Sequence, residues 1–442
     1  MFVLPVHDYT GSRILPRAAV SPNGSLPVFR AADRITTVFR GCIPGHRGFL
    51  SLSILLSMMM AGVCRAEGQQ VLCIDGDGHF DAHFDTGVNI LVAAVRSGEF
   101  AAHRCGASLS WKDGDLVVTP EAAQVDIDVL GADPGFGAPV VAFQVRKADS
   151  DVRATYQIYA LRNPRLLRTI TGGDFYRAAD ADFDGRVAIW TADAAAADGF
   201  DGLAYADFDV PPVVAMRFQR GRLVDVSADY PEDYDRWIAG LRAHLDPKAA
   251  SEFHASDSRP DRTLPQEQLA RLKKTRVRIL EIAWLYLYSG RQQKAWEELA
   301  QVWPPEDLAR VEAAVLQARK TGIDAQVDAV APAPEHYRPR QHTTVYETQL
   351  ANTSLRFQAQ AIHLGNVVDI LPREILLQRR TWPSSDETVD LMLDAAGKVW
   401  SIKTEIPDPE LKEVAKGWKF IPAFKDGLPV ACNYRVIIAP NR

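Results

Sequence analysis

Carboxylates are the residues whose type and spacing suggest chemistry. In Asp180-Ala-Asp182-Phe-Asp184-Gly185-Arg-Val187, three aspartates alternate ahead of a glycine. Alternate acids, with a glycine to turn the chain sharply, can wrap oxygen ligands around one hard cation such as calcium. An EF-hand would also need glutamate at the twelfth position, where this chain has Thr191. A second stretch, Asp75-Gly-Asp77-Gly-His79-Phe-Asp81, echoes the spacing, with Cys73 in its first place. The plainer alternative for both is a solvated turn, because Asp and Gly are common turn formers. His79 and His83 are four apart in what reads as a Gly/Asp turn rather than a helix, which does not suit metal ligation. The stretch Gly131–Gly137 (GADPGFG) reads as a loop with nothing to mark it as a phosphate cradle. No nucleophile elbow, Walker loop, H-E-x-x-H or G-x-G-x-x-G occurs, so no catalytic residue is nominated and the expectation is a binding protein, not an enzyme.

The cysteines and the N-terminus bear on compartment. Gly48 to Val63 is an apolar and small-residue run behind Arg40 and Arg47, and Cys64-Arg65-Ala66 offers a small-x-small end. A positive flank, a short apolar stretch and such an end read as a secretory signal peptide over residues 40–66, cleaved after Ala66. The run is shorter than the ~20 residues a spanning helix wants, so no stable membrane span is expected after cleavage. Residues 1–39 show no helical or strand period and read as an unstructured extension, in keeping with a translation start further on. Export to the periplasm or beyond makes Cys73–Cys105 the expected disulfide and Cys432 the odd thiol. The alternative is that all three are small buried hydrophobes.

The elements that must position these residues divide by charge and period. Between Glu67 and Ala228 there are 24 acidic residues, 21 of them Asp, against 14 basic ones, and 16 of the 29 glycines. Asp and Gly favour turns where Glu favours helices, so residues 67–228 should be strands joined by tight turns. Candidates at Val88–Val95, Leu116–Val118, Gln124–Val129, Val140–Val145, Tyr156–Leu161, Val187–Trp190, Val213–Phe218 and Arg222–Val226 have the spacing of an all-β sandwich, barrel or propeller fragment. From 229 to 330 the period becomes helical: Tyr234, Trp237, Ile238, Leu241 and Leu245 share a face, a polar linker follows over Asp246–Arg262, and helices are expected over 266–288, 292–302 and 306–320. Residues 331–341 form a proline-rich linker. The last part, 342–442, is mixed, with strands near Val389–Leu393, Val399–Thr404 and Tyr434–Ile438 and a helix over Glu410–Lys416. With a net charge of −6, the chain lacks the clustered Lys and Arg that nucleic-acid binding needs.

Three resemblances follow from these residues. Asp390-Leu-Met-Leu-Asp394-Ala-Ala-Gly397, then Gly417-Trp418-Lys-Phe420-Ile-Pro422-Ala423, then Asp426-Gly427-Leu-Pro429-Val430 resembles the TonB C-terminal domain over about Glu387 to Ile438. That likeness implies a small α+β domain whose exposed sheet edge recruits an extended peptide of an envelope or outer-membrane receptor, with a role linked to TonB-dependent transport. The last strand, Tyr434, Arg435, Val436, Ile437 and Ile438, is then the expected docking edge. The family's long Pro/Lys/Glu-rich spacer is missing. The Asp180 loop resembles the calcium loops of FG-GAP and VCBS-type repeats, which implies Ca²⁺ at Asp180, Asp182 and Asp184. Those loops carry an acid at the ninth position, where this chain has Ala188. Ala283, Tyr286, Gly290, Ala295 and Leu299 fit a single tetratricopeptide-like hairpin, with a generic helical hairpin equally open. The expected fold is therefore multidomain: an N-terminal all-β domain, a helical hairpin segment and a C-terminal TonB-like α+β domain. Its expected role is that of an envelope adaptor, the alternatives being a calcium-dependent, propeller-like surface binding protein and a hydrolase with an unrecognised site in the β region.

Overall fold

The computed structural model describes residues 71–84, 86–96, 103–148, 151–180, 182–258, 264–331, 368–378, 383–405 and 407–438, together with the backbone of 342–350. The expected extension, the leader and nearly all of the proline-rich linker lie outside the described residues. The chain is mixed α and β, with several sheets and seven α-helices among the described residues. No helix among them is long and apolar enough to cross a membrane.

Strands come first and pair with their sequence neighbours. Strands His79–His83, Asn89–Arg96, His103–Trp111 and Gly114–Ala122 form one antiparallel sheet in chain order. Gln124–Ala132, Val140–Arg146, Ala154–Ala160 and Arg165–Gly173 form a second, to which Cys73–Ile74 adds at the Gln124–Ala132 edge. Arg177–Ala179, Ala188–Ala192, Val213–Gln219 and Arg222–Asp225 form a third, closed by a parallel pairing with Ala329–Val330. Three successive four-stranded meanders are built as propeller blades are built, but a propeller closes with about four to eight of them. The turns follow from residue type: Arg220-Gly221 joins Gln219 to Arg222 with φ of 53° and 77°, the two left-handed residues of a two-residue hairpin whose twist matches its strands.

Strands His103–Trp111, Arg165–Gly173 and Arg177–Ala179 have no counterpart in the sequence reading. Each is flanked or interrupted by arginine or small polar residues, and alternation is masked where only part of one face is covered. The expected linker over Asp246–Arg262 contains helix Pro247–His254. Asp246 caps it by accepting the Lys248 N–H at 3.0 Å, Pro247 occupies its first turn, and the buried Phe253 packs edge-on against Trp303.

Helices 231–321 cover the sheets rather than standing apart from them. From Thr275 to Tyr288 every residue of helix Gln266–Tyr288 is buried, as befits a helix enclosed on all sides. Its Trp284 packs against Phe200 and Phe208, with ring centroids 4.7 and 5.3 Å away, and the buried Glu281 carboxylate accepts the N–H groups of Asp209 and Val210. One continuous set of buried apolar side chains runs from Leu72, just before the first strand, to Ile323, just after helix Leu308–Thr321, and takes in Ile375, Ile421 and Phe424.

The terminal sheet has the order His342–Leu350, Cys432–Ile438, Glu387–Leu393, Val399–Thr404, all antiparallel. Helix Pro409–Ala415 packs Leu411 and Ala415 into its core beside Trp418 and Phe420. Two short ladders, Arg373–Leu376 with Lys419–Ile421 and Ala423–Lys425 with Leu428–Val430, lie against the body, the first accepting the Asp180 N–H at Ile375 O and the second setting its turn residue Gly427 against His79. The join is reciprocal. Phe424 leaves the terminal part to pack edge-on against Phe80 at 5.1 Å, with Ile375 and Ile421 beside it in the body's core. Phe183 leaves the body to lie in the terminal core with Val368 and Leu377.

Candidate metal centre

The Asp180 loop joins the first two strands of the third sheet, where Ala179 pairs with Ala188. Two left-handed residues shape it, Phe183 at φ 56° and Gly185 at 83°. Glycine adopts that conformation freely; a bulky residue such as Phe does so only where its surroundings hold it there. Asp180 is fixed at both ends: its N–H donates to Ile375 O at 2.8 Å, and its Oδ2 accepts the Gly185 N–H at 3.0 Å. Asp184 accepts the Arg186 N–H at 2.8 Å through Oδ1 and faces Arg217, whose Nη1 lies 3.5 Å from Oδ2. Arg217 is itself buried and donates to the Tyr230 hydroxyl.

Three carboxylates thus meet. One oxygen from each of Asp180, Asp182 and Asp184 lies within 4.8 Å of the others, the one such group of His, Cys, Asp and Glu among the described residues. Asp180 is 2% exposed and Asp182 8%. Their Oδ1 atoms are buried and take no hydrogen bond from the protein. Burial, with the neighbouring Asp182 and Asp184 charges, pushes the Asp180 carboxyl up to about 8. Burial and Asp184 push Asp182 to about 6, against the pull of Arg217. Of the three acids, Arg217 stands beside Asp182 and Asp184 alone, so three ionised carboxylates would exceed it by two negative charges, which is what a divalent cation offsets. Hard, oxygen-only donors of this kind suit Ca²⁺ or Mg²⁺. The fit is partial: Ala188 and Thr191, at the ninth and twelfth places of the loop, are buried in the following strand and bring no acid.

The second Asp loop does not assemble in this way. Asp75 sits in a left-handed turn beside Arg104, and Asp81 is on strand His79–His83. That strand also carries His79 and His83, which the sequence reading placed in a turn; both are exposed on the face opposite the buried Phe80 and Ala82. In the GADPGFG loop three N–H groups, of Gly135, Phe136 and Gly137, converge at 2.8, 2.7 and 3.1 Å on Asp133 Oδ1, so the loop holds its own carboxylate. Cys73 and Cys105 are joined by a disulfide, and Cys432 is a buried free thiol.

The expected docking edge is corrected by the sheet order. Tyr434–Ile438 pairs with Glu387–Val389 and the residues after it on one side and with His342–Val345 on the other, so it is an interior strand. The segment before Glu387 supplies the covering strand, and no pattern within Glu387–Ile438 could reveal it. The ends of this sheet are His342–Leu350 and Val399–Thr404.

Sequence reasoning missed a second cluster at the same junction. Arg373, on the ladder strand Arg373–Leu376, makes a two-pronged pair with Asp126, Nη1 to Oδ2 at 2.8 Å and Nη2 to Oδ1 at 3.2 Å, and donates to Ile127 O. Asp128, two residues on, accepts from Tyr156 Oη and the Ala178 N–H, both at 2.7 Å. Burial pushes the Asp128 carboxyl up to about 7 although Arg373 draws it down. Two acids in an otherwise apolar strand, Gln124-Val-Asp-Ile-Asp-Val-Leu130, were the signal available in the sequence.

Comparison with known proteins adds no identity: no family model matches the chain, and neither a curated protein nor a solved structure matches it. The site's chemistry has to carry the functional reading.

Proposed function

We propose that this chain is an exported, calcium-holding binding protein of the cell envelope, in which the Asp180–Asp184 loop takes the cation. The observation that carries the reading is the pair of buried, partnerless Oδ1 atoms of Asp180 and Asp182 beside Asp184. An isolated buried carboxylate is costly unless paired, protonated or bound to a metal. Export is supported by the Cys73–Cys105 disulfide, a bond that persists in oxidising compartments. The hydrolase alternative needs perturbed acids that a substrate can reach, and Asp180 and Asp182 are enclosed.

The test is a melt of the full chain with calcium or with a chelator. At a hundred times its Kd, a ligand of the folded state alone stabilises by about 2.7 kcal/mol, a shift of several degrees. Asp182→Asn should abolish the shift while the chelated protein melts as before. A wild-type melt indifferent to calcium and to magnesium refutes the reading.

A second reading keeps the strand-addition role that the TonB likeness implies and moves it to Val399–Thr404. One observation favours it: this strand ends the terminal sheet, with Trp400 61% exposed.

A further inference from the structure

We infer that cation binding in the Asp180 loop and the seating of segment 368–378 on the body are one coupled equilibrium, so that the cation governs how firmly the terminal sheet is held. This rests on the cation reading above and adds the regulation of that site. The coupling element is Phe183. It lies between two of the three acids, Asp182 and Asp184, yet its buried ring belongs to the terminal core with Val368, Leu377 and Trp418. Its left-handed backbone is unfavourable for a side chain of its size. Drawing the flanking carboxylates onto one ion holds the backbone in that conformation and the ring in its socket.

Two further contacts tie the loop to the same segment. The Asp180 N–H donates to Ile375 O at 2.8 Å, and Gly185 sits so close to Gln378 that a Cβ there would lie 3.0 Å from the Gln378 side chain. Releasing the acids loosens all three attachments together, because they fall within six consecutive residues of one loop. The Arg373–Asp126 pair and Phe424 lie on other elements and hold the segment independently, so loss of the cation loosens the junction without undoing it. By linkage, whatever factor the cation adds to seating, seating adds to cation affinity.

Hydrogen exchange read by mass spectrometry on the full-length protein, in calcium and in chelator, tests this, with calorimetric titration of calcium alongside. The expected result is exchange at least tenfold slower in peptides covering 368–378 when calcium is present, with peptides of helix Gln266–Tyr288 unchanged. Phe183→Ala should remove that calcium dependence and weaken calcium binding by the same factor. Phe183→Leu, which keeps a smaller apolar side chain in the socket, should retain part of both effects in equal measure and tests the coupling if the alanine variant does not fold. Calcium that binds without altering exchange in 368–378 overturns the coupling and leaves the cation reading standing. Titration showing no binding overturns both.

Discussion

Replacing Arg373 by Met should be among the most damaging single changes that can be made in this protein. The guanidinium joins ladder strand Arg373–Leu376 to Asp126 in the second sheet by two hydrogen bonds, and Asp126 has no solvent exposure at all. Removing one partner of a buried pair costs about 3–5 kcal/mol, because the remaining charge stays desolvated without its counter-ion. That is a large part of the ~5–15 kcal/mol that keeps a typical domain folded. Met preserves most of the apolar stem, so the loss is mainly electrostatic. Asp126→Asn should cost a comparable amount. The double variant should recover much of it, since exchanging both members of a buried pair for neutral groups is often close to neutral. Urea unfolding followed by tryptophan fluorescence gives the four stabilities of the cycle. A loss below about 1 kcal/mol for Arg373→Met, or two single losses that simply add, would show that the pair does not hold the junction.

Stability should fall as pH rises through the mildly acidic range. Asp128 is pushed up to about 7 by burial, so the folded protein keeps a proton that the unfolded chain, with an ordinary carboxyl near 4, gives up. The folded state therefore binds more protons between these values, and at about 1.4 kcal/mol per pH unit the loss is on the order of 4 kcal/mol at most, complete above pH 7. Glu281, raised to about 7 by burial, acts in the same direction. Urea midpoints should decline from pH 5 to pH 7, less steeply in Asp128→Asn; a wild-type midpoint that climbs with pH contradicts the assignment. On the strand-addition reading proposed for the terminal sheet, an extended receptor peptide should slow amide exchange along Val399–Thr404. Binding with no change along that strand removes strand addition there as the mode of recruitment.

Periodicity made the helices legible. Gln266–Tyr288 and Gln292–Val302 occupy the residues read for them, because long apolar stripes at helical spacing have few competing explanations. The Asp/Gly-rich composition before Ala228 likewise marked strands and tight turns, and the Asp180-x-Asp182-x-Asp184-Gly185 spacing marked the carboxylates that do converge. These are local matters: alternation, turn chemistry and a sharp loop are settled within about ten residues.

What the sequence left open was every pairing between distant segments. Arg373 meets Asp126 across 247 positions, and neither residue carries a motif. Tyr434–Ile438 reads as an edge until His342–Leu350, some ninety residues earlier, pairs along its free side. Phe183 reads as one more apolar residue in a turn, and only the assembled chain shows it crossing into another core. A strand's hydrogen-bonding rim and a charge's partner belong to whichever segment arrives beside them, and that is fixed by packing over the whole molecule rather than by the residues on either side.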